Sequence, residues 1–279
     1  MKKTVIILSA IALIAGSCNQ ATKKQAETTN NEEIVSEQGE QSDEVELDTL
    51  VIPQSPENSD IKTDVQILLP AGYRGTEIAD FKPMLSEEWY DFYQDSITKK
   101  HFLKKATIKI GKIYDDCLED FTTYVGSQRN PLILVKGIIP QNKEISSISV
   151  KKRRIWPDEK YSFSFNGKTY LLRGDGNIIK SGTTDMDGGL ERWDEVKNYK
   201  LYLSEQGKPE QLIIAIPTFN DTFVQILWIG DIDGDGKPDF IIDNSRNYEE
   251  KNVLLFLSSK AGEGEIVKIA ASSSYQFDC

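Results

Sequence analysis

Four aspartates carry the clearest chemistry in this chain. They stand in Trp228-Ile229-Gly230-Asp231-Ile232-Asp233-Gly234-Asp235-Gly236-Lys237-Pro238-Asp239-Phe240-Ile241-Ile242-Asp243. Counted from Asp231, the acids Asp231, Asp233, Asp235 and Asp239 occupy loop positions 1, 3, 5 and 9. Gly236 falls at position 6, where a tight turn needs a residue without a Cβ. Carboxylates two residues apart on a curling loop converge on one centre, and the carbonyl of Lys237 at position 7 can join them. The donor set is all oxygen, which suits a hard cation of flexible coordination, hence Ca²⁺. Without an ion the carboxylates would repel one another. The expected role is structural, with an affinity on the order of 10⁻⁴–10⁻³ M, as in extracellular modules. The plain alternative is an acidic turn that binds nothing.

The flanks decide the setting. Position 12 is Ile242 rather than a bidentate Glu, and Phe240-Ile241-Ile242 is a buried-strand pattern. The loop is therefore not an EF-hand; it lies between strands. In this form, D-x-D-x-D-G-x-x-D between strands, it resembles the FG-GAP (VCBS-type) calcium loops of integrin α-subunit propellers and of many secreted bacterial proteins. The resemblance implies that Asp231, Asp233, Asp235 and Asp239 are side-chain ligands. Propellers repeat this unit, and here it occurs in one good copy, so a full propeller is not expected.

Other signals are weaker. Asp185-Met186-Asp187-Gly188-Gly189 looks like half of such a loop but lacks an acid at its fifth position, and reads as a plain turn. Arg173-Gly174-Asp175 is the tripeptide recognised by integrins, set at a predicted hairpin end, where turn chemistry accounts for it equally well. Lys151-Lys152-Arg153-Arg154 is a local basic patch, read as a solvated strand end, as are Lys99, Lys100, Lys104 and Lys105. His101 has no motif around it and reads as a surface or boundary residue.

Composition limits the chemistry further. The 279 residues include 33 Lys+Arg against 44 Asp+Glu, one histidine and three cysteines. One histidine removes most His-based catalysis and any multi-His zinc site. The acidic balance argues against a nucleic-acid partner, which needs a basic face. Lys2 and Lys3 precede an apolar run over 5–14, too short for a stable span but fitting the core of an export signal. Ala15-Gly16-Ser17-Cys18 follows, and the N-terminus resembles a bacterial lipoprotein signal peptide. The resemblance implies cleavage after residue 17 and a diacylglycerol on Cys18, whose acyl chains would hold the chain to a membrane. An ordinary cleaved signal with a chance cysteine is the alternative. Residues 18–60 form the lipidated cysteine and an acidic stretch without aromatics, which buries too little apolar surface to order and reads as a disordered tether. Its reach as a flexible coil is roughly 35 Å. If Cys18 is lipidated, Cys117 and Cys279 remain, and in an oxidising compartment they are a possible disulfide pair.

The globular text runs over 61–279, either one region or two subdomains at about 61–150 and 151–279. Strands are predicted over 64–69, 107–113 and 131–139, and either a helix or a strand over 86–95. Alternation over 161–165, an Asn166-Gly167 turn and the return over 168–173 make a strong hairpin signal. A second hairpin is expected from 199–203 and 211–216, with further strands over 223–229, 240–243 and 253–258. The expected fold is mainly β, with antiparallel sheets in a sandwich-like or partial propeller-like arrangement. One or two short helices are expected in the N-terminal half, and α+β is the alternative. The expected function is a lipoprotein of the bacterial cell envelope, on the outer membrane, whose calcium-stabilised β domain binds a protein or glycan partner rather than catalysing a reaction. An envelope hydrolase using paired carboxylates on glycans is the competing expectation.

Overall fold

The computed structural model describes residues 63–279 except Asn142, Asp187 and Gly188. The expected export signal, Cys18 and the acidic stretch to residue 60 lie outside the described residues. Along the chain come β1 (Gln66–Leu68), β2 (Ala71–Tyr73), the single-turn helix α1 (Ile78–Phe81) and a 3-10 turn (Lys82–Ser86). They are followed by β3 (Tyr90–Gln94), β4 (His101–Lys105), β5 (Ile108–Asp115), β6 (Asp120–Ser127), β7 (Ile133–Lys136) and β8 (Ser147–Ile148). The second half holds β9 (Lys160–Phe165), β10 (Lys168–Met186), β11 (Gly189–Glu205), β12 (Gln211–Thr218), β13 (Gln225–Gly230), β14 (Asp239–Asp243), β15 (Glu250–Leu257) and β16 (Lys268–Gln276). The fold is mainly β, as expected, and its one described α-helix lies in the N-terminal half.

The strands make four antiparallel sheets. Their orders are β1-β7-β3-β4, β2-β6-β5, β12-β11-β10-β9 and β16-β15-β14-β13-β8. The last sheet is the centre of the structure, because it is buried on both faces. Along β15, Leu254 and Phe256 face the β9–β12 sheet, while Val253, Leu255 and Leu257 face the β1-β7-β3-β4 sheet. A strand covered on both sides reads as a continuous apolar run rather than an alternation, and Val253-Leu254-Leu255-Phe256-Leu257 is such a run. Each of these side chains contributes about 1.5–3 kcal/mol by leaving water. The β1-β7-β3-β4 sheet in turn offers Leu68 and Leu134 to a third cluster shared with β2, β6 and the 3-10 turn. Four sheets thus pack face to face in succession. Trp228 of β13 sits edge-on to Phe92 of β3, with ring centroids 4.8 Å apart, joining residues from both halves of the chain in one core.

Local sequence explains most of the turns. Phe165 pairs with Lys168, leaving the two-residue loop Asn166-Gly167 at φ +46° and +80°. Both values are left-handed, as a type I′ hairpin turn requires, and Asn-Gly supplies them at low cost. The β11–β12 hairpin also forms where expected. The segment 86–95 resolves as β3, because Trp89 and Phe92 are buried on a sheet rather than aligned on a helical face.

One expectation needs correction. Arg173-Gly174-Asp175 is not at a hairpin end: it lies inside β10, paired with Tyr202, Leu201 and Lys200. A Cβ on Gly174 would fall 2.4 Å from the Trp156 carbonyl oxygen, so glycine is required there for close backbone approach. The Arg173 guanidinium is held by Glu210, at 3.0 Å from two nitrogens, and by Asp175. The segment is a cross-strand ion-pair site rather than a displayed loop. Two side chains of the basic patch are likewise partnered, Lys152 with Glu159 at 2.7 Å and Arg154 with Glu191 at 2.5 Å.

Cys117 and Cys279 are joined as a disulfide, with Cα atoms 5.9 Å apart and a sequence separation of 162 residues. A loop of that length corresponds to at most about 5 kcal/mol of stabilisation in the chain-entropy model. Urea denaturation with and without reductant should therefore show a lower midpoint after reduction; an unchanged midpoint would contradict the placement. His101 packs against Phe92 and Trp228, with Nδ1 3.1 Å from the Ser147 hydroxyl. Burial pushes its pKa below the ordinary 6.5. As pH falls through 6.5 the unfolded chain takes up this proton first, so stability declines until the lower folded-state pKa is passed. NMR titration of the single imidazole should give a midpoint below 6.5, and a midpoint at or above that value contradicts this packing.

Candidate metal centre

The acidic loop bridges β13 and β14, whose ends pair as Gly230 with Asp239. Two backbone features shape it. Gly234 and Gly236 both adopt left-handed conformations, φ +84° and +85°. These turns curl the chain so that successive aspartates face inward. The loop is fixed from outside by three other segments. The Asp231 amide donates to the Ser146 carbonyl at 2.8 Å, just ahead of β8. Asn166 of the β9–β10 turn donates from Nδ2 to the Gly236 carbonyl at 2.8 Å. The β15–β16 connection supplies Ser258 and Ser259, described below.

Asp239 is the anchor. Its side chain is fully buried, on the face of β14 that also carries Ile241. Oδ2 accepts from the Ile232 amide at 2.9 Å, and Oδ1 accepts from the Ser258 amide at 2.8 Å and the Ser258 hydroxyl at 3.1 Å. One carboxylate thereby ties together the loop, the start of β14 and the end of β15. Asp231 Oδ1 accepts from the Gly234 amide at 2.6 Å, and Oδ2 from the Gly236 amide at 3.0 Å. Asp233 accepts from the Asp235 amide at 3.3 Å and from the Ser259 hydroxyl.

Asp231, Asp233 and Asp239 each bring a carboxylate oxygen within 4.8 Å of the others. Asp235 stands beside this cluster. Its oxygens accept from the Lys237 amide at 2.8 Å and the Ser258 hydroxyl at 2.9 Å. Lys237 thus takes part in the loop through its amide, and its side chain is exposed.

The electrostatics follow from this crowding. Burial, then the charge of Asp233, pushes the Asp239 carboxyl well above the usual carboxylate range. Burial also raises Asp231, while the amides of Gly236 and Gly234 offset part of the effect. Ionised carboxylates this close in a partly dry setting repel one another, which favours the protonated forms of Asp231 and Asp239.

Four contributors were not evident from sequence. Gly234 at position 4 could have been noticed, since Asp-Gly-Asp-Gly offers two left-handed sites. Ser258, Ser259 and Asn166 lie 19 or more residues from the acids they support or the carbonyl they hold, and carry only ordinary turn signals.

An alanine at either loop glycine must adopt a left-handed conformation, which costs about 1–2 kcal/mol. A Cβ at Gly236 meets nothing within 4 Å, whereas one at Gly234 meets the end of the Gln141 side chain. Gly236→Ala therefore isolates the backbone strain. It should lower the unfolding free energy by about 1–2 kcal/mol, and a loss below about 0.3 kcal/mol would contradict the loop geometry. Compared with known proteins, the chain matches no family model, no curated protein and no solved structure.

Proposed function

We propose that this protein is an exported, lipid-anchored binding module whose central β-sheet is fastened by one structural calcium ion. The observation that carries the ion is the convergence of the Asp231, Asp233 and Asp239 carboxylates around a common point, with Asp239 fully buried. All donors are oxygen, as Ca²⁺ prefers. Asp231, Asp233 and Asp239 would hold the ion directly, with Asp235 and the Lys237 carbonyl completing the shell. The resemblance of D-x-D-x-D-G-x-x-D to FG-GAP loops supports the same assignment. When bound, the cation supplies positive charge against the carboxylates and so removes the repulsion that burial amplifies. An ion held in this way is structural, and the reading is of a binding protein rather than an enzyme.

The anchor is carried by the N-terminal text: Lys2 and Lys3, the apolar run over 5–14, and small residues before Cys18. Acyl chains on Cys18 would attach the protein to the cell envelope, with the acidic segment as a spacer between lipid and module.

Calcium should raise the thermal midpoint. For one site of the expected affinity, 10 mM calcium stabilises by about 1.4–2.7 kcal/mol. Asp233→Ala should abolish that response, and Cys18→Ala should move the protein from the membrane fraction to the soluble fraction of the producing cell. No midpoint rise at millimolar calcium, or an equal rise in Asp233→Ala, defeats the ion assignment. Retention of Cys18→Ala on membranes defeats the anchor.

A further inference from the structure

A cleft of about 780 Å³ opens at the end of β13 away from the acidic loop. That volume lies within the range of ligand sites, roughly 300–1,000 Å³. The cleft is bounded by the long β10–β11 hairpin, the β12–β13 connection and the β14–β15 connection. Its floor is aromatic. Trp156 and Phe223 pack with centroids 4.1 Å apart, and Phe219 lies 4.8 Å from Phe223.

Two further rings stand at the rim. Trp193 of β11 lies across Gly182, its partner on β10: a Cβ there would fall 2.6–2.8 Å from three indole atoms. The glycine lets the ring lie flat on the strand with its outer side toward solvent, and Trp193 is 37% exposed. Tyr248, 39% exposed, comes from the β14–β15 connection.

The polar lining divides into engaged and free groups. Arg154 is paired with Glu191, and Asp194 with Arg192 and Ser181. Among the described residues, the side chains of Glu195, Asp221, Thr222 and Gln225 make no hydrogen bond or ion pair, and Lys180 makes only a contact over the Trp193 ring. The cleft therefore offers flat apolar rings beside unengaged groups that are mostly acceptors.

From this juxtaposition we propose that the cleft binds a neutral glycan. A sugar ring has a C–H face that packs on an aromatic plane and a rim of hydroxyls that donate to carboxylates and amides. Two unpaired carboxylates oppose a phosphate or other anion. A cationic peptide is opposed by Lys180, whose ammonium stands 5.5 Å from the Trp193 ring centroid, at the ring such a ligand would seek. A neutral polyol meets neither obstacle. This proposal rests on the reading of the protein as a binding module and gives that module its ligand class.

The test uses the full chain in detergent with calcium. Its probes are linear hexasaccharides of β-1,4-glucose, α-1,4-glucose and β-1,4-xylose, with hexalysine as the charged comparator. Calorimetry and tryptophan emission are the readouts. At least one hexasaccharide should bind with Kd below about 1 mM and shift the emission. Trp193→Ala and, separately, Asp221→Ala should each weaken binding about tenfold or more. Both side chains are exposed and lie away from the acidic loop, so the rise in melting temperature with calcium should stay as in the wild type, while the left-handed backbone at Asp221 (φ +47°) lets alanine lower the melting temperature itself. Binding of hexalysine alone, absence of saccharide binding, or saccharide binding that survives both substitutions overturns the proposal. A preserved calcium response in any of those cases would separate failure of the cleft from failure of the ion assignment.

Discussion

A carboxylate with no exposure at the head of a central strand is the constraint around which this structure is organised. Asp239 cannot be solvated, so its charge has to be met from inside. Two amides and a hydroxyl meet part of it, from Ile232 and Ser258. The nearby carboxylates of Asp231 and Asp233 make the remainder worse, and their mutual distance is what a divalent cation would use. The sequence text around Asp239 follows from this need: glycines where the chain must turn left-handed, acids at alternate positions, then an apolar strand at once.

The same position explains why the loop matters to the whole molecule. β14 and β15 are buried on both faces, so the end of β13, the start of β14 and the end of β15 cannot shift without disturbing two hydrophobic clusters. The loop sits where these three ends meet. Its outward supports come from the β9–β10 turn and from the segment ahead of β8, so one further sheet and the edge of its own sheet register its shape. The aromatic cleft lies at the opposite end of β13. A strand of six residues separates the two, about 20 Å of extended chain. The loop's effect on the cleft would therefore pass through the rigidity of the sheet rather than through contact.

How much of this could be read from the chain depends on how local each determinant is. Asn166-Gly167 encodes its own turn, and Asp231 to Asp239 encode a curled acidic loop, because the needed dihedrals and spacings are written in adjacent residues. The length of β10 and β11 was not legible. Gly174-Asp175-Gly176 reads as ordinary turn chemistry, yet the chain there runs on as a bulged strand, and a Cβ on Gly176 would fall 3.1 Å from the Tyr199 Cα. The partner strand overrides the local preference. β16 was missed for a related reason: Ala270, Ala271 and Ser272 to Ser274 have little β propensity and become a strand by pairing with β15. Ser258 gained its role only because the end of β15 is brought to Asp239. Cysteine arithmetic named Cys117 and Cys279 as candidates, and only the fold places them together.

Anomalous scattering from a crystal grown with calcium addresses the centre of the account most directly. The expected result is one strong peak per chain between β13 and β14. It should lie about 2.3–2.6 Å from an oxygen of each of Asp231, Asp233 and Asp239. A loop without a peak at millimolar calcium, or an ion held by other residues while these carboxylates keep only their amide and hydroxyl partners, would contradict it.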